Sequence, residues 1–249
     1  MRNEDGAIRF EGVSKSFGAR KVLQDISFMV EAGTAYVLLG RSGSGKSVTL
    51  KLICGLIKPD AGKIQVEDEE ITGLDSTALI PIRKQMGFLF QSSALFDSIS
   101  VGENVAFAMR RHTNKPDQEI HDLAQKALDK VGLGKEYDSM PSSLSGGMRK
   151  RAGLARALAM EPSILLVDEP SAGLDPITSS EIDDLLLTIK KDHHATLVVV
   201  THNIPSARAV GDRMAFLDDG RILAEGTADE LEQSEHQLVR DFLKSRQGG

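Results

Sequence analysis

A chain of 249 residues with 41% apolar and 27% charged side chains has the composition of a globular protein, one large domain or two small ones. No apolar run approaches the roughly 18–20 residues that cross a bilayer, and the opening stretch MRNEDGAIRF has no hydrophobic leader, which places the chain in the cytosol as an expectation. The net charge of −6 argues against nucleic acid as a partner, because backbone phosphates normally call for a basic face.

In chain order, Ala7 to Val13 and Val22 to Val30 read as strands around a turn at Phe17-Gly18-Ala19-Arg20, with Phe17 close to a loop. Thr34 to Leu39 (TAYVLL) is a short β-rich run, and Ser47 to Leu56 reads as a helix. Cys54, alone of its kind, falls in the apolar part of that helix and is expected to be buried packing. Gly62 to Val66 and Met86 to Phe90 follow as strands, the second ending at Gln91. From Glu119 to Val131 the apolar residues recur at i, i+3, i+4, with Pro116 and Asp117 before them and Gly132 after, so this is an amphipathic helix. A second helix is expected from Gly147 to Met160, stopped by Pro162. Strands Ile164 to Val167 and Thr196 to Val200 restore β/α alternation, which makes the helical block an insertion into an α/β core. The six histidines have no metal-ligand spacing, and His193-His194 reads as a solvated helix end. Arg213 to Asp218 and Arg221 to Glu225 flank Asp219-Gly220, a hairpin turn pair.

Between the strand at 34–39 and the helix after it, Gly40-Arg41-Ser42-Gly43-Ser44-Gly45-Lys46-Ser47 fits G-x-x-x-x-G-K-[ST]. In such a loop the backbone N–H groups, the lysine and the hydroxyl wrap a nucleotide's phosphates and its Mg²⁺. Val48 continues the loop. Ile164-Leu165-Leu166-Val167-Asp168-Glu169 is a buried-strand pattern ending in two carboxylates, at the strand end where α/β folds bind ligands. Asp168 would hold Mg²⁺ beside Ser47, and Glu169 would accept a proton from the attacking water or orient it.

With Leu144-Ser145-Gly146-Gly147 opening a helix, the sequence resembles the ATP-binding subunits of ABC transporters, over roughly residues 6 to 230. A hydroxyl and close backbone N–H groups at a helix start suit a phosphate. The resemblance implies that this phosphate belongs to ATP on a second copy, so that two chains sandwich two nucleotides head to tail. It further implies that Phe17 stacks on adenine, that Gln91 reaches Mg²⁺ beside a membrane subunit, and that Ser171-Ala172-Gly173-Leu174-Asp175 couples the sites across the dimer. His202, after the strand at 196–200, would contact the γ-phosphate. The implied catalytic set is Lys46, Gln91, Glu169 and His202, the metal set Ser47, Gln91 and Asp168, with ATP and Mg²⁺ as cofactors. The implied fold is a P-loop core (about 1–91 and 162–230) carrying an N-terminal antiparallel β subdomain, with a helical subdomain at about 92–161 and a tail at 231–249.

Two departures narrow the resemblance: Met148 stands where most of the family has Gln, and Val48 follows Ser47 in place of the commoner Thr. Neither supplies a phosphate ligand. With Phe90 to Ser98 and Met148-Arg149-Lys150-Arg151, they make the chain similar to the ATPases of Mla or MCE-associated lipid transport systems. That similarity implies a lipid cargo, a membrane permease docked near Gln91 to Ser98, small accessory and MCE substrate-binding subunits, and a place on the cytoplasmic face of the inner membrane. The apolar Ala94-Leu95-Phe96 suits a docking surface and equally suits internal packing. An importer ATPase for amino acids or another small solute is the alternative. ABC proteins acting on DNA or ribosomes carry long coiled coils or fused ATPase domains, which this sequence lacks, and Glu169 with His202 argues against a pure nucleotide sensor. In the tail, Leu238, Val239, Phe242 and Leu243 share one helical face within 234–245, which either packs on its own domain or clasps the partner chain.

Overall fold

The computed structural model describes residues 6–244; the first half of the opening stretch (1–5) and the tail from Ser245 onward lie outside the described residues. Ile8–Phe17 (β1) and Arg20–Val30 (β2) form an antiparallel hairpin in which Phe17 pairs with Arg20. The first strand therefore runs past its expected end at Val13, and the turn contracts to Gly18-Ala19. Ala35–Leu39 (β3) leads into Lys46–Ile53 (α1), and Ala61–Val66 (β4) and Glu69–Glu70 (β5) complete a sheet of order β2-β1-β4-β5. Leu79–Lys84 (α2) precedes Met86–Leu89 (β6). Then come three helices, Val101–His112 (α3), Asp117–Lys130 (α4) and Gly146–Leu158 (α5), the last ending before the expected Met160. Ile164–Asp168 (β7), Pro176–His193 (α6), Thr196–Thr201 (β8) and Ile204–Val210 (α7) resume the alternation. Arg213–Asp218 (β9) and Arg221–Gly226 (β10) meet at Asp219-Gly220, both at positive φ, and Ala228–Glu232 (α8) and Gln237–Lys244 (α9) follow.

The second sheet has the order β10-β9-β3-β8-β7-β6, parallel except for the β9–β10 hairpin. Strands β3, β7 and β8 are buried at every position, as parallel strands covered on both faces must be. Alternation decides which face each side chain joins. Val37, Leu39, Leu165, Val167, Leu197 and Val199 pack toward the helices α3 to α7, whereas Leu38, Ile164, Leu166, Val198 and Val200 pack toward α1 and the first sheet. Full burial of each is worth about 1.5–3 kcal/mol, so a core on each face holds the sheet between them.

Sequence reading named no helix at 101–112 and only the end of one at 176–193. Both carry local start signals. Ser100 caps α3 by accepting from the Glu103 backbone N–H, in the S-x-x-E spacing, and Asp175 caps α6 with Pro176 at its first position. His193 ends α6 and His194 follows in the left-handed region, a common way for a helix to end. Cys54 is buried and free. In α9, Val239 and Leu243 are buried and Phe242 meets Phe216 of β9 edge-on, with ring centroids 4.9 Å apart, so this face packs on its own sheet. Among the described residues, no helix is long and apolar enough to cross a membrane.

Candidate active site

Parallel register sets the strand ends level: Leu39 pairs with Thr201 and Asp168 with Val200, so the loop after β3, the acids closing β7 and His202 after β8 meet on one edge. The loop needs glycine for close approach. A Cβ on Gly40 would lie 2.1 Å from the Leu217 carbonyl oxygen, and one on Gly45, at φ 113°, would lie 2.6 Å from Leu23. The result is a cradle that opens α1 with its N-terminal N–H groups facing outward, a ready anion site. Lys46 folds back over it, donating to the carbonyls of Gly40 (2.9 Å) and Arg41 (3.0 Å) and lying 3.7 Å from Glu169. Burial lowers its pKa, and the Glu169 and Asp168 carboxylates oppose that.

Ser47 donates its hydroxyl to Asp168 at 3.0 Å. Burial raises the Asp168 pKa. A hydroxyl and a carboxylate are oxygen donors of the kind Mg²⁺ takes, and a small donor set suits an ion that keeps several waters. Glu169 sits at φ 48°, in the left-handed region, with its carboxylate accepting from Thr201 Oγ1 (3.2 Å) and the His202 N–H (3.3 Å). His202 Nδ1 lies 2.9 Å from both carboxylate oxygens, which can only accept, so this nitrogen is the donor of the pair. One residue further, Asn203 caps α7 and donates to Ser171 at 3.3 Å, so the loops after β7 and β8 are tied.

A cavity of about 450 Å³ is lined by Phe17, Arg20, Val22, Ser42, Gly43, Gly45, Lys46, Ser47, Val48, Gln91, Glu169 and His202. Phe17, 49% exposed, borders this cavity and does not belong to a core. Gly40, Arg41, Ser44 and Asp168 are not among the lining residues but adjoin them: the carbonyls of Gly40 and Arg41 accept from Lys46, Asp168 accepts from Ser47, and Ser44 is buried. Leu144, Ser145, Gly146, Gly147 and Asp175 are not among the lining residues. They gather elsewhere. Ser145 caps α5 by accepting from the Met148 N–H, a Cβ on Gly147 would lie 2.5 Å from Thr178, and Asp175 accepts from that same Thr178. The segments 144–147 and 171–175 thus form one cluster at the adjoining starts of α5 and α6.

Sequence reasoning missed the groups that hold these parts in place. Thr201 and Asn203 lie in the strand-to-helix turn and buttress Glu169 and Ser171. Lys150, 4% exposed, and Arg156 reach from α5 to backbone carbonyls around the site. The run Met148-Arg149-Lys150-Arg151 carries no mark that separates an inward lysine from its solvated neighbours.

Residues 23–172 match the protein family described as ABC transporter. The chain is 42% identical over 98% of its length to the probable ribonucleotide transport ATP-binding protein mkl of Mycobacterium leprae, of which it covers 70%. It is 40% identical over 93% of its length to the intermembrane phospholipid transport system ATP-binding protein MlaF of Escherichia coli, covering 86% of that protein. The fold superposes on the dimeric post-hydrolysis structure of an ATP-binding cassette bound to ADP and Pi, with TM-score 0.82 and 32% identity over 88% of this chain and 98% of that one. The phosphate cradle, the paired acids and these matches agree: the chain belongs to the ABC transporter family, as an ATP-binding subunit that hydrolyses ATP to power a transporter.

Proposed function

We propose that this ATPase drives lipid movement through an Mla or MCE-type membrane permease, working as a head-to-tail homodimer with ATP and Mg²⁺ at two sites. The observation that supports the chemistry is the Glu169 carboxylate, fixed at 2.9 Å by His202 and 3.7 Å from Lys46 beside the glycine cradle. The cradle N–H groups and Lys46 would bind the phosphates, Phe17 would carry the adenine, and Ser47, Asp168 and the side chain of Gln91 would hold Mg²⁺. Held there, the ion would supply positive charge that offsets the negative charge developing on the phosphoryl group. Glu169 then takes the proton of the attacking water, and His202 keeps the carboxylate aimed beside the γ-phosphate. Ser145 with Gly146 and Gly147, and Asp175 beside them, serve the site of the second copy.

Coupling to the membrane rests on a second, apolar groove of about 660 Å³, whose lining includes Ile80, Phe88, Phe90, Ala94, Phe96 and Phe107. It adjoins Gln91, and it would seat the permease at the inner membrane's cytoplasmic face. Residues 92–161 would act as a helical subdomain between groove and dimer partner, with accessory and MCE subunits completing the assembly. Lipid is the favoured cargo on the departures at Val48 and Met148 together with the likeness to the phospholipid-transport relative. A small solute is the alternative, and mass spectrometry of what co-purifies with the assembled transporter separates them.

The direct test is Glu169→Gln. The amide keeps the shape but cannot take the proton, so ATP binding should persist, hydrolysis should fall about 100-fold or more, and ATP with Mg²⁺ should trap a dimer visible by sizing. Wild-type turnover in this variant overturns the role of Glu169.

A further inference from the structure

We propose that Lys150 is a positioning residue, locking the main chain of Glu169 to that of Gln91 from helix α5. The proposal rests on the assignment of Glu169 and Gln91 above. Lys150 is 4% exposed, and its ammonium donates to the Gln91 carbonyl at 2.5 Å and to the Glu169 carbonyl at 3.0 Å. One side chain therefore bridges the end of β6 and the end of β7. A buried ammonium is costly to desolvate, and burial lowers its pKa. An apolar residue would fill the space without that cost. What it could not do is hold two carbonyls.

The main chain at both ends is under strain. Glu169 lies at φ 48°, and beyond Gln91 both Ser93 and Ala94 lie at positive φ, 62° and 46°. Such residues persist only where their surroundings over-determine them. Here α5 supplies the donors: Lys150 at Glu169 and Gln91, and Arg156 at the carbonyls of Ser93 and Ala94, 2.6 Å each. Helix α5 also begins at Ser145, the hydroxyl assigned to the second copy's nucleotide. Lys150 thereby makes one rigid unit of the proton-accepting residue, the segment bordering the permease groove and the helix that meets the partner's ATP. Loosening it shifts Glu169 by fractions of an ångström, which is enough to slow chemistry without touching nucleotide affinity.

The experiment compares full-length wild-type, Lys150→Met, Lys150→Arg and Glu169→Gln proteins by ATP titration, steady-state hydrolysis and amide hydrogen exchange. Lys150→Met should lower kcat about tenfold or more with KM and Kd for ATP within about twofold. Exchange should quicken in 91–95 and 169–172 while the remaining segments keep wild-type rates. Lys150→Arg, which keeps N–H donors at similar reach, should restore at least about half of the lost rate and the slow exchange. Should Lys150→Met fail to fold, Lys150→Leu, which also has no N–H donor, carries the same comparison. Wild-type kcat and exchange in Lys150→Met overturn the proposal. So does a uniform rise in exchange with a lower melting temperature that Lys150→Arg does not repair. Normal turnover in Glu169→Gln would instead remove the assignment of the base, and the exchange comparison would still decide whether Lys150 ties the two segments.

Discussion

Burial raises the pKa of the Asp168 carboxyl, with the Ser47 hydroxyl opposing and the adjacent Glu169 reinforcing the shift. The sign of its effect on stability follows from linkage. A folded-state pKa above the unfolded value means the native state penalises the ionised form, so stability falls as pH rises from the unfolded value through the folded one. At neutral pH the carboxylate is therefore a net cost to the fold when nothing is bound. Asp168→Asn, which keeps an acceptor for Ser47, should raise the melting temperature without nucleotide and Mg²⁺, by roughly 2–4 °C for each kcal/mol recovered. The same variant should lose Mg²⁺-dependent hydrolysis, the usual trade of stability for function. Differential scanning calorimetry decides it: a lowered melting temperature would mean that Asp168 is ionised to structural advantage. The residues of this site differ sharply in how legible they were. Lys46, Ser47 and Glu169 could be read because a phosphate cradle is a contiguous motif and a strand end is a local pattern. Lys150 could not, since its carbonyl partners stand 59 and 19 positions away and only tertiary packing turns it inward.

Helix α3 and the segment before it show what an element contributes. Asn104 is fully buried, and its side chain accepts from the Phe96 N–H at 2.7 Å and donates to the carbonyls of Phe96 (3.1 Å) and Ser100 (3.0 Å). That holds Phe96 outward, 45% exposed and against Phe107, while Leu95 packs on the helical core. For Ala94-Leu95-Phe96 the sequence suits docking and internal packing alike; the structure packs Leu95 inward and leaves Phe96 exposed. Phe96→Asp should leave the subunit's melting temperature within about 2 °C, as surface changes do, yet abolish pull-down of the permease and lipid transport in vesicles. Leu95→Asp should instead cost about 2–4 kcal/mol by placing a charge against apolar packing. Equal stability loss in both variants would return Phe96 to the core, and normal pull-down with Phe96→Asp would remove the groove as the docking site. Strands and the amphipathic α4 were readable from periodicity, whereas α3 begins at a cap whose signal lies in Ser100 and Glu103 and not in hydrophobic spacing.

At the scale of the whole molecule, the chain separates two groups of residues. The cavity gathers Phe17, Lys46, Ser47, Gln91, Glu169 and His202, while Gly147 and Asp175 meet at Thr178 and Ser145 caps the same start of α5. A second copy turned head to tail would bring each cluster onto the other's cavity, so every complete site would draw on both chains. This can be tested by complementation. Lys46→Ala removes the phosphate charge of a cavity but leaves its own Ser145 cluster intact, whereas Ser145→Arg blocks the cluster and leaves the cavity. Each variant alone makes a dimer with both sites broken. Mixed in equal amounts, half of the dimers pair unlike chains, and each of those holds one site with both parts intact. Hydrolysis should then return to about a quarter of the wild-type rate if the sites act independently and exchange freely. Activity in the mixture no higher than in the separate variants would rule out shared sites. Substantial activity in Ser145→Arg alone would show that a single chain completes its own.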